Sequence, residues 1–336
     1  MNPRRRIVPV FVPHLGCPHQ CVFCDQRIIS GQTLPVGPDD VREALRSAQA
    51  VTAWAELAFY GGSFTAISSD LQNSLLEAAQ PFRRSGFLTA IRVSTRPDCI
   101  DRECLDRLAA FGVGTVELGA QSMSDRVLAA SGRGHLAEDT VGACALLRER
   151  GFRVILQMMT GLPESDPETD LYTAKRLAEL RPDGVRIYPA LVLRGTGLAE
   201  MLERGAYRAQ SVEDAVNTCA PIVRIFCEGG IPILRLGLHP SRELEDKLLA
   251  GPYHPALGEL VYSRLYRDEA ERQLSARKRL PDEVTILVPV GELSKMTGKG
   301  KANLIWLRDR FQLRQVRAAE SGDLSPGALA IKGKSE

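Results

Sequence analysis

The sequence predicts an α/β protein whose main part is a partial (β/α)6 barrel, followed by a small α+β module. Three observations predict this fold: short β-rich segments alternate with helical segments up to Leu191, the links between them are mostly short, and a different order of elements follows residue 283. Repeated strand–helix–strand units form right-handed crossovers and build a parallel sheet. Six units are fewer than the eight of a closed barrel, so the barrel is expected to be open on one side.

Six runs of β-branched and other apolar residues are predicted to form the strands. They are Ile7–Pro13, Leu57–Tyr60, Ala90–Thr95, Thr115–Leu118, Arg153–Met158 and Gly184–Leu191. The stretches with helical periodicity between them are Asp39–Ala50, Asp70–Ser85, Asp101–Phe111, Glu138–Arg150 and Pro167–Leu180. Ligands of parallel βα folds bind at the carboxyl ends of the strands. The polar residues just after each strand are therefore the candidates for a site.

The composition is that of an ordinary globular protein, with 336 residues of which 44% are hydrophobic and 25% charged. No apolar run approaches the roughly 20 residues of a membrane span, and no secretory signal follows the basic start. Eight cysteines are too few for a disulfide scaffold, so a reducing, cytoplasmic location without membrane association is expected. From Arg264 to Glu336 there are 15 Lys and Arg against 10 Asp and Glu, which concentrates positive charge there.

Three cysteines, Cys17, Cys21 and Cys24, lie within eight positions after the first predicted strand. Four thiolates would complete a structural zinc site or a fully protein-ligated cluster, whereas three leave one metal position open for another ligand. The spacing Cys-x3-Cys-x2-Cys therefore favours a loop around an iron–sulfur cluster. Two alternatives remain at this point: a zinc knuckle completed by His14 or His19, and three ordinary buried cysteines.

This motif and the segment FYGGSFTA after the second strand resemble the signatures of radical S-adenosylmethionine (SAM) enzymes. The resemblance implies a 4Fe-4S cluster held by the three cysteines and a SAM molecule whose methionyl group lies against the glycine pair. The cofactor-binding residues that it implies in these two motifs are Phe23, Gly61, Gly62 and Ser63. It also implies that one electron from a flavodoxin- or ferredoxin-like donor cleaves SAM to methionine and a 5′-deoxyadenosyl radical, while the protein positions and shields this chemistry.

Four further segments resemble the radical-SAM core of the Elongator catalytic subunit group, which modifies wobble uridines in tRNA. They are VSTRPDCID, VELGAQSMSDRVLAASGRGH, GFRVILQMMTGLP and RPDGVRIYPALVLRGTGLAE. Carried over by position, the residues implied to line the cofactor and substrate cavity are Thr95, Glu117, Gln121, Arg133, Gln157 and Tyr188. The first two cysteines are closer together here than in that group. Because no counterpart of its acetyltransferase domain is seen, acetyl transfer is not expected.

Structural roles are the alternatives for several of these residues. Glu117 lies between apolar neighbours, so its carboxylate contacts either a ribose or a buried basic partner. Gln157 is either a barrel-interior side chain or a satisfied core amide, and Arg133 is either a site residue or a surface loop residue. The remaining cysteines, predicted to be small buried hydrophobic residues, are Cys99, Cys104, Cys144, Cys219 and Cys227.

Residues 284–318 show the order strand, short helix, glycine-lysine loop, helix and strand, which resembles the core of a KH domain. The loop, Gly298-Lys299-Gly300-Lys301, carries lysine where the GxxG loop of that family has its last glycine. Lysines at a helix start offer charge and amide donors to phosphate, so Lys299 and Lys301 are candidate RNA contacts. The alternatives are a solvated surface loop and a structural lid.

These features predict a radical-SAM enzyme that acts on RNA, with tRNA or rRNA as substrate. One alternative is a radical-SAM enzyme for a small metabolite or peptide, whose carboxyl-terminal module is a lid or dimer element. Another is an RNA-binding protein with a merely structural cluster. The predicted organisation is a barrel over residues 1–240, a helical connector over 241–283, a KH-like basic module over 284–320 and a flexible tail over 321–336.

Overall fold

The computed structural model describes residues 6–12, 17–25 and 36–334. Its strands are β1 (Ile7–Val12), β2 (Ala55–Gly61), β3 (Leu88–Thr95), β4 (Val113–Gln121), β5 (Arg153–Thr160), β6 (Gly184–Pro189), β7 (Val192–Leu193), β8 (Ile233–Leu236), β9 (Leu248–Ala250), β10 (Glu283–Pro289), β11 (Gln315–Ser321) and β12 (Ala330–Lys334). The six predicted strands are all present. Pro13, at the end of the first predicted strand, and His14 lie outside the described residues.

The α-helices of the described residues are α1 (Pro38–Gln49), α2 (Ser69–Arg84), α3 (Arg102–Ala110), α4 (Asp125–Ala130), α5 (Ala137–Glu149), α6 (Pro167–Glu179), α7 (Gly197–Glu203), α8 (Val212–Glu228), α9 (Arg242–Lys247), α10 (Leu257–Ser275), α11 (Leu293–Thr297) and α12 (Ala302–Phe311). The five predicted helices are confirmed as α1, α2, α3, α5 and α6. No helix among the described residues has both the length and the apolar character needed to cross a membrane.

Seven parallel strands form the main sheet, in the order β1-β2-β3-β4-β5-β6-β8. The six-stranded prediction omits β8. This strand has only four residues, ILRL, and none of them is fully buried because the strand lies at the edge of the sheet. Its sequence therefore lacks the long apolar run that marks the central strands of a parallel sheet.

The sheet is curled into a half-barrel. Arg186 of β6 donates through Nη2 to the hydroxyl of Tyr60 in β2 at 3.2 Å, although three strands lie between β2 and β6. In a flat sheet, strands four places apart would be separated by about 19 Å. Both side chains therefore point into the concave side of the sheet, which we call the lumen.

The main core lies between the convex face of this sheet and the surrounding helices. Side chains alternate along each strand, so Leu57 and Phe59 of β2 are buried in the core while Glu56 and Tyr60 face the lumen. Along β2, the charged and polar side chains therefore lie on the lumen side of the sheet.

A second core belongs to the carboxyl-terminal module. Its central strand, β10, lies between β11, which runs parallel to it, and β12, which runs antiparallel. The predicted order of strand, short helix, loop, helix and strand is present as β10, α11, residues 298–301, α12 and β11. The prediction of a flexible tail from residue 321 differs from the structure, because residues 330–334 form β12 and Ile331 packs against the module core.

Helix α10 contributes to both cores. Val261 is buried in the main core, whereas Tyr266, Ala270 and Leu274 are buried in the module core. With 19 residues it is the longest helix of the described residues. The segment predicted as a helical connector thus packs against both parts.

Candidate active site

The cysteine loop, residues 17–25, follows β1 in the sequence. Cys21 is buried, Cys17 and Cys24 are half-buried, and none of the three is joined in a disulfide bond. Within residues 6–12, 17–25 and 36–334, no three His, Cys, Asp or Glu side chains converge closely enough to hold a metal ion. The three thiols therefore share one loop in this conformation but do not enclose a single point.

The segment SGRGH, residues 131–135, receives the cysteine loop. Val22 N donates to Ser131 O at 3.1 Å. Gly134 has a φ of 70°, which favours glycine, and the ring of His19 lies directly against it. The loop and the segment are therefore fitted to each other by backbone contact.

Phe23 and its neighbour hold the other side of the loop. Val22 O accepts a hydrogen bond from Leu198 N at 2.7 Å. Phe23 is half-buried and packs against the apolar cluster that contains Met159 of β5 and Leu198 of α7. The aromatic residue of the motif thus anchors the loop to the β5 and β6 side of the half-barrel.

Two arginines form a cationic wall beside the cysteine loop. Arg133 Nη1 lies 3.4 Å from Cys21 Sγ, and Nη2 donates to Gly119 O at 2.6 Å. Arg133 is only 6% exposed, so it is not a surface loop residue. Arg96, one of the polar residues that directly follow a predicted strand, donates to Asp98 at 2.8 Å and to Arg133 O at 2.5 Å.

Several buried polar atoms of this wall have no hydrogen-bond partner within the described residues. They are Arg96 Nη1, Arg133 Nε and both ring nitrogens of His135. Leaving a buried polar group unpaired costs about 1–3 kcal/mol, so such a group of atoms is typical of a site that a ligand completes. Burial, and then the charge of Arg133, lowers the pKa of His135 to about 4, which keeps its ring neutral at neutral pH.

The same arginines act on the thiols. Burial and the neighbouring Cys21 raise the pKa of Cys17, whereas Arg96 and Arg133 oppose this rise. Because thiolates rather than thiols bind metal ions, the two guanidinium groups favour the metal-binding form.

Gly61 ends β2 against the strand that leads into the cysteine loop. Its φ is 93°, and a Cβ there would lie 3.2 Å from the carbonyl of Val12. Gly62 N donates to Val12 O at 2.8 Å. The positive φ and the close approach to Val12 together require glycine at position 61. The pair thus joins β2 to β1, in addition to the cofactor-binding role that the family resemblance implies.

Ser63 and Thr95 pair with each other just after β2 and β3. Their hydroxyl oxygens are 2.8 Å apart and both residues are buried. Thr65 lies 2.6 Å from the Thr95 hydroxyl on the other side. These hydroxyls are therefore satisfied within the protein and hold the two strand ends together.

Glu117 pairs with two arginines in the lumen. It accepts from Arg92 Nη1 at 2.7 Å and from Arg186 Nε at 3.0 Å. Arg92 also pairs with Glu56 at 2.6 Å. We call these four residues the floor network; it carries two positive and two negative groups. Of the two interpretations of Glu117, the structure favours the buried basic partner over the ribose.

Gln121, Gln157 and Tyr188 lie on three neighbouring strands. Gln157 Nε2 donates to Gln121 Oε1 at 3.3 Å, where a bulge gives Gln121 a φ of 65°. Burial raises the pKa of Tyr188, and the adjacent Arg186 opposes this. Gln157 is thus a hydrogen-bonded amide, and Tyr188 belongs to the surroundings of the floor network.

Lys299 and Lys301 are exposed in the carboxyl-terminal module. Lys301 has a φ of 62°, a conformation that L residues rarely adopt, so the fourth loop position keeps a glycine-like backbone. The buried Asn303 donates to the carbonyl oxygens of Met296 at 3.1 Å and Ser263 at 2.8 Å. The loop is therefore tied to α10 and α11.

Comparison with known proteins identifies the family of this half-barrel. The profile of the radical SAM superfamily matches residues 11–176, and the profile of the radical SAM C-terminal domain matches residues 182–267. The chain belongs to the radical SAM superfamily. The matched region of this radical SAM enzyme contains the cysteine loop, the glycine pair and the floor network, whereas the module core from β10 onward lies outside it.

The Elongator-like resemblance is also confirmed. The tRNA uridine(34) acetyltransferase of Methanocaldococcus jannaschii is 34% identical over 228 residues, which are 62% of this chain and 41% of that protein. Elongator complex protein 3 of Homo sapiens is 33% identical over 208 residues, 60% of this chain and 37% of that protein. The radical SAM chain thus spans about 40% of the length of these curated relatives.

A solved structure supports the same grouping. Elp3 of the archaeon Methanocaldococcus infernus, with an N-terminal deletion, superposes with a TM-score of 0.63 at 25% identity. The superposition covers 79% of this chain and 63% of that chain. The half-barrel is therefore the radical SAM fold in its Elp3-like form.

The residues around the cysteine loop fit a radical SAM cluster. The loop offers three thiols that are not joined in disulfide bonds, and the wall of Arg96 and Arg133 supplies charge opposite to thiolates. The unpaired donors of this wall fit an additional polar or anionic ligand beside the thiols. The donor set therefore agrees with a cluster that keeps one position for a second molecule.

The other cysteines divide into three environments. Cys104, Cys144 and Cys219 are buried in the main core, as predicted. Cys227 is exposed. Cys99 is half-buried in the turn that follows β3, where burial and Asp98 raise the pKa of its thiol while Ser63 and Arg96 oppose this. Cys99 therefore belongs to the surroundings of the site, unlike the prediction.

The sequence prediction includes Arg133 in the cavity, and Arg96 belongs to the polar residues just after a strand that are candidates for the site. It does not select the two arginines inside the sheet. Arg92 and Arg186 lie on predicted strands, at positions that alternate with buried residues. Both arginines contact Glu117 only because the sheet curls, and a pattern along the sequence does not show this pairing.

Asp170 fixes the loop that follows β5. It is 3% exposed and accepts hydrogen bonds from Gly161 N at 2.9 Å and Ser165 Oγ at 2.5 Å. Burial raises its pKa from 3.8 to about 6. The folded chain therefore holds this proton more tightly than the unfolded chain does.

This shift predicts a pH dependence of stability. The pKa of Asp170 is higher in the folded than in the unfolded chain. Its contribution to the free energy of unfolding is therefore fully present below about pH 4 and is lost as the pH rises through about 6. Asp170→Asn should remove this loss, so the variant should gain stability relative to wild type between pH 4 and pH 7. Urea unfolding across this range measures the difference, with exposed Glu168→Gln as control. A constant difference between Asp170→Asn and wild type would contradict the prediction.

Proposed function

We propose that this chain is a radical SAM enzyme that holds a 4Fe-4S cluster on Cys17, Cys21 and Cys24. We propose that it modifies RNA and that this RNA is tRNA. The observation that carries the proposal is the cysteine loop itself. It is fitted to the SGRGH segment and flanked by Arg96 and Arg133, whose remaining donors are unpaired. When bound, the cluster supplies the electron that cleaves SAM to methionine and a 5′-deoxyadenosyl radical.

The chain's own residues bind and orient in this scheme. The Arg133 guanidinium faces the Cys21 sulfur and is fixed by Gly119 O. Arg96 Nη1 and Arg133 Nε are the free donors to which an anionic group of SAM is complementary. The Gly61–Gly62 edge lies against Val12 at the end of β1, the strand that precedes the loop, and the lumen shields the reacting groups from water. A flavodoxin- or ferredoxin-like protein is the proposed electron donor.

RNA is the proposed substrate class for two reasons. The relatives in the comparison carry the names of a tRNA uridine(34) acetyltransferase and an Elongator subunit. The carboxyl-terminal module also presents Lys299 and Lys301 on an exposed loop between two helices, in the element order of a KH core. In KH domains such a loop clamps the sugar-phosphate backbone.

The decisive experiment compares nucleosides from tRNA and rRNA of a deletion strain with those of its parent by mass spectrometry. A modified nucleoside that disappears on deletion and returns with the wild-type gene, but not with the Cys17→Ser gene, supports the proposal. Unchanged nucleosides would favour a small metabolite or peptide as substrate if the purified protein still releases 5′-deoxyadenosine. Absence of that release with reductant and SAM, with and without cellular RNA, would overturn the enzymatic proposal.

The lysine loop gives a second test. Replacing Lys299 and Lys301 together by glutamate should weaken RNA binding several-fold and flatten its dependence on salt, because each lost phosphate contact removes released counterions. Filter binding of tRNA at several salt concentrations measures both quantities. The matched control replaces Lys175 and Lys278, two other exposed lysines, by glutamate and so makes the same change in net charge. If both double variants bind alike, the loop is not an RNA contact.

A further inference from the structure

Arg133 is a buried cation without a carboxylate partner among the described residues. Of the arginines in that part of the chain, only Arg96 and Arg133 are buried. Arg96 forms an ion pair with Asp98 at 2.8 Å, so its charge is matched. Arg133 donates instead to the neutral carbonyl of Gly119 at 2.6 Å, and its Nε atom has no partner within the described residues. Because an unpaired buried charge is strongly destabilising, Arg133 needs a negative group that a ligand supplies.

The two ends of this guanidinium group contact different parts of the protein. Nη1 lies 3.4 Å from Cys21 Sγ, whereas Nη2 is fixed by the carbonyl of Gly119 in β4. The backbone carbonyl of Arg133 also accepts a hydrogen bond from Arg96 Nη2 at 2.5 Å. These anchors belong to the half-barrel and not to the cysteine loop. The guanidinium group therefore stays beside the Cys21 sulfur when the loop closes around a cluster and the thiol becomes a thiolate.

Charge beside an iron–sulfur centre determines how easily the centre is reduced. Three thiolates outweigh the positive charge of an oxidised 4Fe-4S core, so the centre is negative before an electron arrives. The electron adds a further negative charge, and a fixed positive charge nearby therefore stabilises the reduced form more than the oxidised form. A hydrogen bond donated to a ligand sulfur acts in the same direction. Both effects are strong at a buried group because water and salt screen its charge only weakly.

From these features we infer that Arg133 raises the reduction potential of the cluster, through its unmatched charge and through the hydrogen bond from Nη1 to the Cys21 sulfur. The inference rests on the proposed function and adds to it a residue that makes the one-electron step easier. No bond forms or breaks at Arg133 in this step, because the flavodoxin- or ferredoxin-like donor loses one electron, the cluster gains it and the guanidinium keeps its protons. This role does not depend on SAM, so it should be present in cluster-loaded protein without SAM.

A redox titration of the reconstituted protein without SAM tests the inference. Electron paramagnetic resonance and visible absorption measure the reduced cluster at a series of fixed potentials. Arg133→Met removes the charge and the donor, so it should lower the ratio of reduced to oxidised cluster at a given potential about tenfold, which is about 59 mV for a one-electron couple. Arg133→Lys keeps the charge and Arg133→Gln keeps an N–H donor, so both should lie between Arg133→Met and the wild type. Arg126→Met, at an exposed arginine of α4, is the matched control and should leave the ratio unchanged.

Iron analysis of each protein before the titration separates failure of the inference from failure of the proposed function. If the wild type binds no 4Fe-4S cluster, the proposed function is wrong. If the wild type and Arg133→Met both bind the cluster and are reduced at the same potential, only the inference is wrong. An equal shift in Arg126→Met would also overturn it, because the effect would then be one of net charge alone. Loss of iron from all three Arg133 variants but not from Arg126→Met would overturn it as well, since Arg133 would then hold the cluster in place instead of setting its potential.

Discussion

Protein in which Cys17, Cys21 and Cys24 are all replaced by serine is expected to bind no iron after anaerobic reconstitution. The unchanged chain is expected to bind about four irons, the content of one 4Fe-4S cluster. Serine preserves the size of the side chains but removes the thiolates that bind iron. Iron and sulfide analysis together with the visible absorption spectrum measures the difference.

Two single variants make this result specific. Cys99→Ser removes a half-buried thiol in the surroundings of the site, and Cys144→Ser removes one from the main core. Both should keep the iron content of the wild type. If Cys99→Ser loses iron to the same extent, the cluster has a fourth protein ligand and no open position for SAM. One equivalent of zinc without iron in the wild type would show that the loop is a zinc site.

The fold was largely predictable because its signals are local. Each central strand is a short apolar run, and each helix between strands has a periodic apolar face, so six strands and five helices follow from the sequence alone. β8 lacks such a run since it lies at the edge of the sheet. β12 has only five residues, and its pairing with β10 depends on contacts between residues more than 40 positions apart. Elements that depend on distant partners are the ones that local patterns miss.

The site was predictable only in part, for a related reason. The spacing of the motif identifies Cys17, Cys21 and Cys24 as candidate cluster ligands. The position at the end of a strand identifies Gly61 and Thr95 as candidate site residues. The partners of Glu117 lie on β3 and β6, and they meet it only because the sheet curls. A single buried carboxylate indicates that some partner exists, but it does not show which arginine supplies the charge.

The floor network predicts the largest effect on stability. Side chains of Glu117, Arg92 and Arg186 are 5%, 11% and 15% exposed, so water reaches none of them freely. Removing one partner from a buried ion pair leaves an uncompensated charge, and this costs about 3–5 kcal/mol. Glu117 serves two arginines, and Arg186 has no other carboxylate partner among the described residues.

Glu117→Gln should therefore lower the free energy of unfolding by about 3–5 kcal/mol, measured by chemical denaturation of the reduced protein without metal. The control is Glu103→Gln, which breaks an ion pair with Arg107. The Glu103 side chain is 86% exposed, and exposed ion pairs contribute at most about 1 kcal/mol. A double variant, Glu117→Leu with Arg186→Met, removes both charges, leaves Arg92 paired with Glu56, and should recover most of the lost stability. If Glu117→Gln is no less stable than Glu103→Gln, the two arginines do not depend on Glu117, and the lumen is more accessible to water than the contacts indicate.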